Sequence, residues 1–143
     1  MKSLSLLQPW ASLIIMRQKR LETRSWKTTY RGPLLIHASS KLPSGVQAKE
    51  FARYPNFKNI IEDMYELPYG AVIGMVNLVG IYPTEDVTGE TLMNMGFSDQ
   101  ERAFGDYTPG RYAWALEDVL PFEKPIPYKG SLSLWEFPDE LLP

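Results

Sequence analysis

Lys19, Glu22, Arg24 and Trp26 put an ammonium, a carboxylate, a guanidinium and an indole within eight residues. That is the equipment for gripping a flat, hydrogen-bonding, phosphate-linked ligand such as a nucleotide. A lysine held out of water serves as base or proton carrier, an adjacent carboxylate positions it or relays the proton, and the hydroxyl of Thr23 is a group such a base activates. In a regular strand, alternation would part the set, with Lys19, Leu21, Thr23 and Ser25 on one side and Arg20, Glu22, Arg24 and Trp26 on the other. Lys19 and Glu22 then share a pocket only if a bulge, a turn or one helical turn lies between them. The bland alternative is a surface ion pair worth well under about 1 kcal/mol.

Further chemistry-bearing groups lie along the chain. Asn77 interrupts the apolar run 72–79, where a buried amide must find partners and is either a structural hydrogen bonder or a reader of base edges. His37, in the run 34–38, is an acid/base candidate or a satisfied core histidine. It is the single histidine and there is no cysteine, so a zinc site would have to rely on carboxylates, and no metal is expected. A phosphate loop ending in Gly-Lys-Ser/Thr, a Gly-x-Gly-x-x-Gly turn and a Gly-x-Ser-x-Gly elbow are all missing. Triphosphate hydrolysis, dinucleotide redox chemistry and elbow-type esterase action therefore lose their usual hardware, and no cofactor is implied.

The charge is unevenly placed. Residues 1–41 hold eight Lys or Arg against the single acid Glu22, a net of +7, while the other 102 residues hold seven bases against sixteen acids, a net of −9. The near-neutral total of −2 argues against indiscriminate nucleic-acid coating, yet a basic stretch containing Trp10, Trp26 and Tyr30 suits contact with one or a few nucleotides. A solvated basic face paired with acids elsewhere is the alternative. At 143 residues the chain has room for one good core and is short for two, so a single domain over 1–143 is expected. The first residues lack a secretion-signal pattern, and no apolar run approaches the roughly 20 residues of a spanning helix. No membrane partner and a cytoplasmic location are the expectations.

The elements that must position these groups follow from periodicity and punctuation. Residues 3–6 alternate and read as a strand, and Pro9 suits the first turn of a helix running to about Arg17. Residues 32–39 form the next strand, Ser44 caps a helix over 46–53, and Ile60, Ile61 and Met64 are spaced for one face of a helix over 57–66. Residues 70–82 are the strongest strand candidate, broken by Gly74 and Gly80. A loop with a short helix follows over 84–94, and 97–110 reads as a ligand-covering loop. Strands over 111–119 and 131–137 are expected, separated by a proline-rich turn over 121–127. Strands at both termini and in the middle, with helices grouped between, give an α+β domain on a small curved sheet or β-barrel with surrounding helices.

Taken together, residues 3–6 leading into Gln8-Pro9-Trp10-Ala11, the Lys19-x-x-Glu22-x-Arg24-x-Trp26 signature, the strands 32–38 and 70–81, Gly110-Arg111-Tyr112-Ala113-Trp114 and the closing 130–135 form a pattern. With it the chain resembles the ASCH domain family, of the PUA-like superfold, over nearly its full length. The resemblance implies a small β-barrel with a cleft beside Lys19 and a modified nucleoside or RNA as ligand, since the family was proposed to bind RNA and some members hydrolyse cytidines acylated on the exocyclic amine. In those small amidohydrolases the catalytic set is a lysine, a threonine and a glutamate. Lys19 falls at the lysine, Glu22 stands where the threonine would be, and the family's glutamate falls near Asn77. The expectation is therefore an amidohydrolase using Lys19 and Glu22 as its catalytic pair, with Gln8, Trp10, Arg24, Trp26, Asn77, Arg111 and Tyr112 binding substrate. A non-catalytic single-stranded RNA-binding module is the competing expectation.

Overall fold

The first strand, β1 (Lys2–Leu6), runs parallel to β3 (Gly32–Ala38) and antiparallel to β6 (Leu134–Glu136), so the two ends of the chain meet in one sheet. The computed structural model describes residues 1–97 and 99–143. Its sheet has six strands in the order β2-β5-β4-β3-β1-β6, with β2 (Leu21–Arg24), β4 (Ala71–Pro83) and β5 (Tyr112–Pro127) completing it. Curved into a half-barrel with helices around it, this sheet is an α+β, PUA-like architecture. Inward residues at alternate positions, Leu4, Leu6, Leu34, Ile36, Val76, Leu78, Trp114 and Leu116, pack with Ala11 and Ile14 of α1 (Trp10–Ile15).

α1 packs tightly against the sheet. A methyl group on Gly74 would sit 2.6 Å from Ile15 Cδ1 and 2.8 Å from the Leu120 carbonyl, so the missing side chain is what admits the helix. The helix stops at Ile15, two residues short of the expectation, because Arg17 turns left-handed at φ 62°. Gln18 N–H then bonds the Leu13 carbonyl at 2.9 Å and Arg17 N–H the Ile14 carbonyl at 3.0 Å, the pattern of a Schellman stop. Consequently the chain reverses sharply and delivers Lys19 toward the core instead of continuing outward.

α2 (Gly45–Arg53) begins as expected at Ser44, whose hydroxyl and Gln47 form a reciprocal capping box. The expected helix over 57–66 is broken into α3 (Pro55–Lys58) and a single 3-10 turn at Met64–Glu66, which Asp63 initiates by accepting from Tyr65 N–H at 2.9 Å. Its apolar set is nonetheless buried, since Phe57, Ile61 and Met64 pack with Leu13 and Phe104. α4 (Gly89–Asn94) matches the expected short helix. The stretch read as loop over 97–110 contains α5 (Asp99–Ala103); Ser98, within it, lies outside the described residues.

The expected turn over 121–127 is absent, and β5 continues through it for 16 residues. Beyond Leu116 the strand has lost β2 as a neighbour and, among the described residues, pairs only with β4, so its outer edge needs no N–H groups and tolerates Pro121, Pro125 and Pro127. A bulge between the Val72–Ile126 and Gly74–Pro121 pairs takes up the extra residues.

Candidate functional site

Lys19 is fully buried, just ahead of β2. Its Nζ donates to the carbonyl of Leu21 and lies 3.5 Å from Glu22 Oε1, with side-chain exposures of 0% and 9% for the pair. The turn before β2 thus resolves the alternation problem, and the surface-pair alternative does not hold. Arg24 Nη1 reaches the other oxygen of Glu22 at 3.4 Å, so one carboxylate is held between two cations.

A second carboxylate enters from α5. Glu101, buried, accepts from the backbone N–H of Arg20 at 2.9 Å and of Leu21 at 2.6 Å, which pins the start of β2. Burial raises the Glu101 pKa, while those N–H bonds and the Lys19 and Arg20 charges act against the rise. Tyr107 belongs to the same neighbourhood. Its hydroxyl is buried with no hydrogen-bond partner among the described residues, and desolvation, then the charges of Glu101 and Glu22, raise its pKa. Neither residue stood out in the sequence. Glu101 sat in a stretch read as loop, and only the topology shows that this stretch returns against β2.

β2 is an edge strand, and the cleft beside it has a volume of about 390 Å³. Glu22 and Thr23 line it from β2, Leu7 and Trp10 from the entry to α1, and Arg111 from the segment before β5. Residues 103–106 form the opposite wall. Thr23 Oγ1 accepts from Asp106 N–H at 3.0 Å, and Arg111 Nη2 donates to the Thr23 carbonyl at 3.3 Å while its Nε donates to the Asp106 carbonyl at 3.1 Å. The wall is stitched to β2 through Thr23. Trp10 stays half-buried with its ring edge-on to Phe51. Lys19 does not line this cleft; it borders a separate pocket with Arg17, Arg20 and Leu116.

The other residues named from the sequence are dispersed. Gln8 is buried, with its amide spent on Ser12 N–H, Ser12 Oγ and the Pro68 carbonyl at 3.0, 2.8 and 2.8 Å, which ties the start of α1 to the chain before β4. Trp26 packs edge-on to the fully buried Trp114, whose indole N–H bonds the Trp26 carbonyl at 3.2 Å. Arg24 lies 5.7 Å from the Trp26 ring. Asn77 sits partly exposed in β4 between Pro33 and Glu117, away from the first cleft. Tyr112 lines a second cleft of about 470 Å³ with Lys27, Thr28 and Arg31, the ammonium of Lys27 5.6 Å from its ring.

The model of the ASCH domain matches residues 4–126. The chain belongs to the ASCH domain family. It is 28% identical over 140 residues to activating signal cointegrator 1 of Mus musculus and of Homo sapiens, an alignment covering 96% of this chain and 22% of those proteins. The chain thus spans under a quarter of the length of these curated relatives. Among solved structures, ASCH from Zymomonas mobilis superposes with a TM-score of 0.56 at 17% identity, covering 98% of this chain and 89% of the other. A variant of that protein gives 0.55 at 18%, with 98% and 91% covered. These structures establish the shared ASCH fold.

Proposed function

We propose that the cleft beside β2 binds one nucleobase of a modified nucleoside or RNA and hydrolyses an acyl group from the exocyclic amine of cytidine. The observation carrying this reading is the Glu22 carboxylate, which lines the cleft with a buried ammonium 3.5 Å from it. Trp10 offers a half-buried ring to the base, and Arg111 a guanidinium lining the same cleft.

Amide hydrolysis needs water to attack the acyl carbon, the C–N bond to break and a proton to reach the departing amine. Glu22 takes the proton from water and returns it to that nitrogen, and Arg111 faces the negative charge that grows on the acyl oxygen. Lys19 is a positioning residue: it holds Glu22 and touches no substrate. This divides the catalytic pair named from the sequence into one reacting group and one support. Support also comes from the motif's resemblance to the family's cytidine amidohydrolases.

Incubation with N4-acetylcytidine, with no metal added, should release cytidine and acetate, detected by mass. Glu22→Gln, with the fold checked by circular dichroism, should lower the rate by at least 100-fold, in line with loss of a general base. No cytidine from the wild-type protein would sink the hydrolase reading. A second reading, recognition of single-stranded RNA without chemistry, is favoured by the basic cleft at Tyr112. Salt-sensitive RNA binding with no acylated nucleoside turned over would select it.

A further inference from the structure

On the far side of the sheet from β2, β1 and β3 place Ser5 directly beside His37 in parallel register. Ser5 Oγ lies 3.0 Å from His37 Nδ1, and His37 Nε2 lies 2.7 Å from the Tyr128 carbonyl. A carbonyl only accepts, so Nε2 carries the proton and Nδ1 is left as the acceptor for the serine hydroxyl. Nucleophile, base and orienting group thus stand in a row, the arrangement by which a serine is activated. Burial lowers the His37 pKa, the Tyr128 carbonyl opposing it, which keeps the ring neutral and able to take a proton.

Two features separate this pair from a histidine merely satisfied in a core. Ser5 Oγ also accepts from the indole N–H of Trp135 at 3.1 Å, which together with the His37 contact fixes the hydroxyl and leaves its remaining lone pair for attack. Gly130 lies against the pair, and a methyl group there would fall on Ser5 Oγ and 2.8 Å from His37 Nδ1, so the glycine keeps open the space beside the nucleophile. That space belongs to a cleft of about 320 Å³, whose lining includes Ser39, Lys129, Ser131 and Leu132. We propose that Ser5 is an acyl-accepting nucleophile with His37 as its base, in a second site that takes short polar carboxylic esters.

In the step, a bond forms between Ser5 Oγ and the ester carbon, and the bond to the leaving alcohol breaks. The serine proton passes to His37 Nδ1 and from there to the alcohol. Water then repeats the route to release the acid, so no other reactant is needed. The site shares no residue with the cleft at Glu22 and stands whether or not that cleft hydrolyses amides.

The test is reaction of the purified protein with an alkyl fluorophosphonate, followed by peptide mass mapping, alongside hydrolysis of p-nitrophenyl acetate. The expected label is on Ser5, absent from Ser5→Ala and at least tenfold slower in His37→Gln. Gln at position 37 keeps a donor for the Tyr128 carbonyl without a base for Ser5. An unlabelled wild-type protein, a label on another serine, or full-rate labelling of a folded His37→Gln variant would each overturn the proposal.

Discussion

At the scale of single residues, the burial of Lys19 decides what the site is. A buried ammonium is tolerated when its charge and its hydrogen bonds are met, and here the Leu21 carbonyl and Glu22 meet them. Removing it strands Glu22, which Arg24 reaches at 3.4 Å, and takes a cation from the neighbourhood of Glu101. Lys19→Met should therefore cost up to about 3 kcal/mol in urea denaturation, the low end of the penalty for breaking a buried pair, because Arg24 still reaches Glu22. Nothing local in the sequence shows a lysine to be fully enclosed, so the structural weight of Lys19 emerges only from the fold. Adding Glu22→Gln to Lys19→Met should recover part of the loss, since the stranded charge goes with it. A cost below about 1 kcal/mol for the single variant would mean that the pair is effectively solvated.

At the scale of elements, the legible parts were those whose instructions are local. Ser44 and Gln47 sit at capping-box spacing and α2 begins there; the apolar run of β4 and the alternation of β1 needed no tertiary information. What escaped was set by neighbours. Prolines 121, 125 and 127 argue for a turn until β5 is seen to have a free edge where they fall, and Glu101 looks like loop charge until α5 is laid against β2. The same dependence makes Gly74 a testable joint. It stands in β4 under Ile15, at a position with no left-handed backbone demand, so the cost of a side chain there is steric. Gly74→Ala should destabilise by about 1–3 kcal/mol through overpacking, and trimming the opposing side chain in Gly74→Ala/Ile15→Val should return part of it. Equal stability of wild type and Gly74→Ala would show that α1 can move aside freely, and with it Trp10 at the cleft.

At the scale of the whole molecule, the charge asymmetry of the sequence becomes a directed surface. Lys2 is neutralised by Glu136 at 2.8 Å across the β1–β6 pair, and Lys19 is enclosed, so the basic excess of the first 41 residues is expressed by Arg17, Arg20, Arg24, Lys27 and Arg31 with Lys41. Lys27 and Arg31 are exposed and flank Tyr112, while Arg111, one residue before it, lines the cleft with Glu22. Arg111 and Tyr112 are consecutive, so the two clefts lie to either side of the start of β5, and a single strand reaching from Trp10 around that edge would run its phosphates past Lys27 and Arg31. Each phosphate neutralised on a single strand contributes about 0.7 to the slope of log affinity against log salt. The double variant Lys27→Gln/Arg31→Gln should weaken binding of a short single-stranded RNA at low salt and flatten that slope by about 1.4, measured by fluorescence anisotropy over a salt series. Turnover of free N4-acetylcytidine should stay within about twofold of wild type, because a nucleoside has no phosphate for these cations to hold. An unchanged slope in the variant would place the RNA path elsewhere on the molecule and leave Tyr112 outside it.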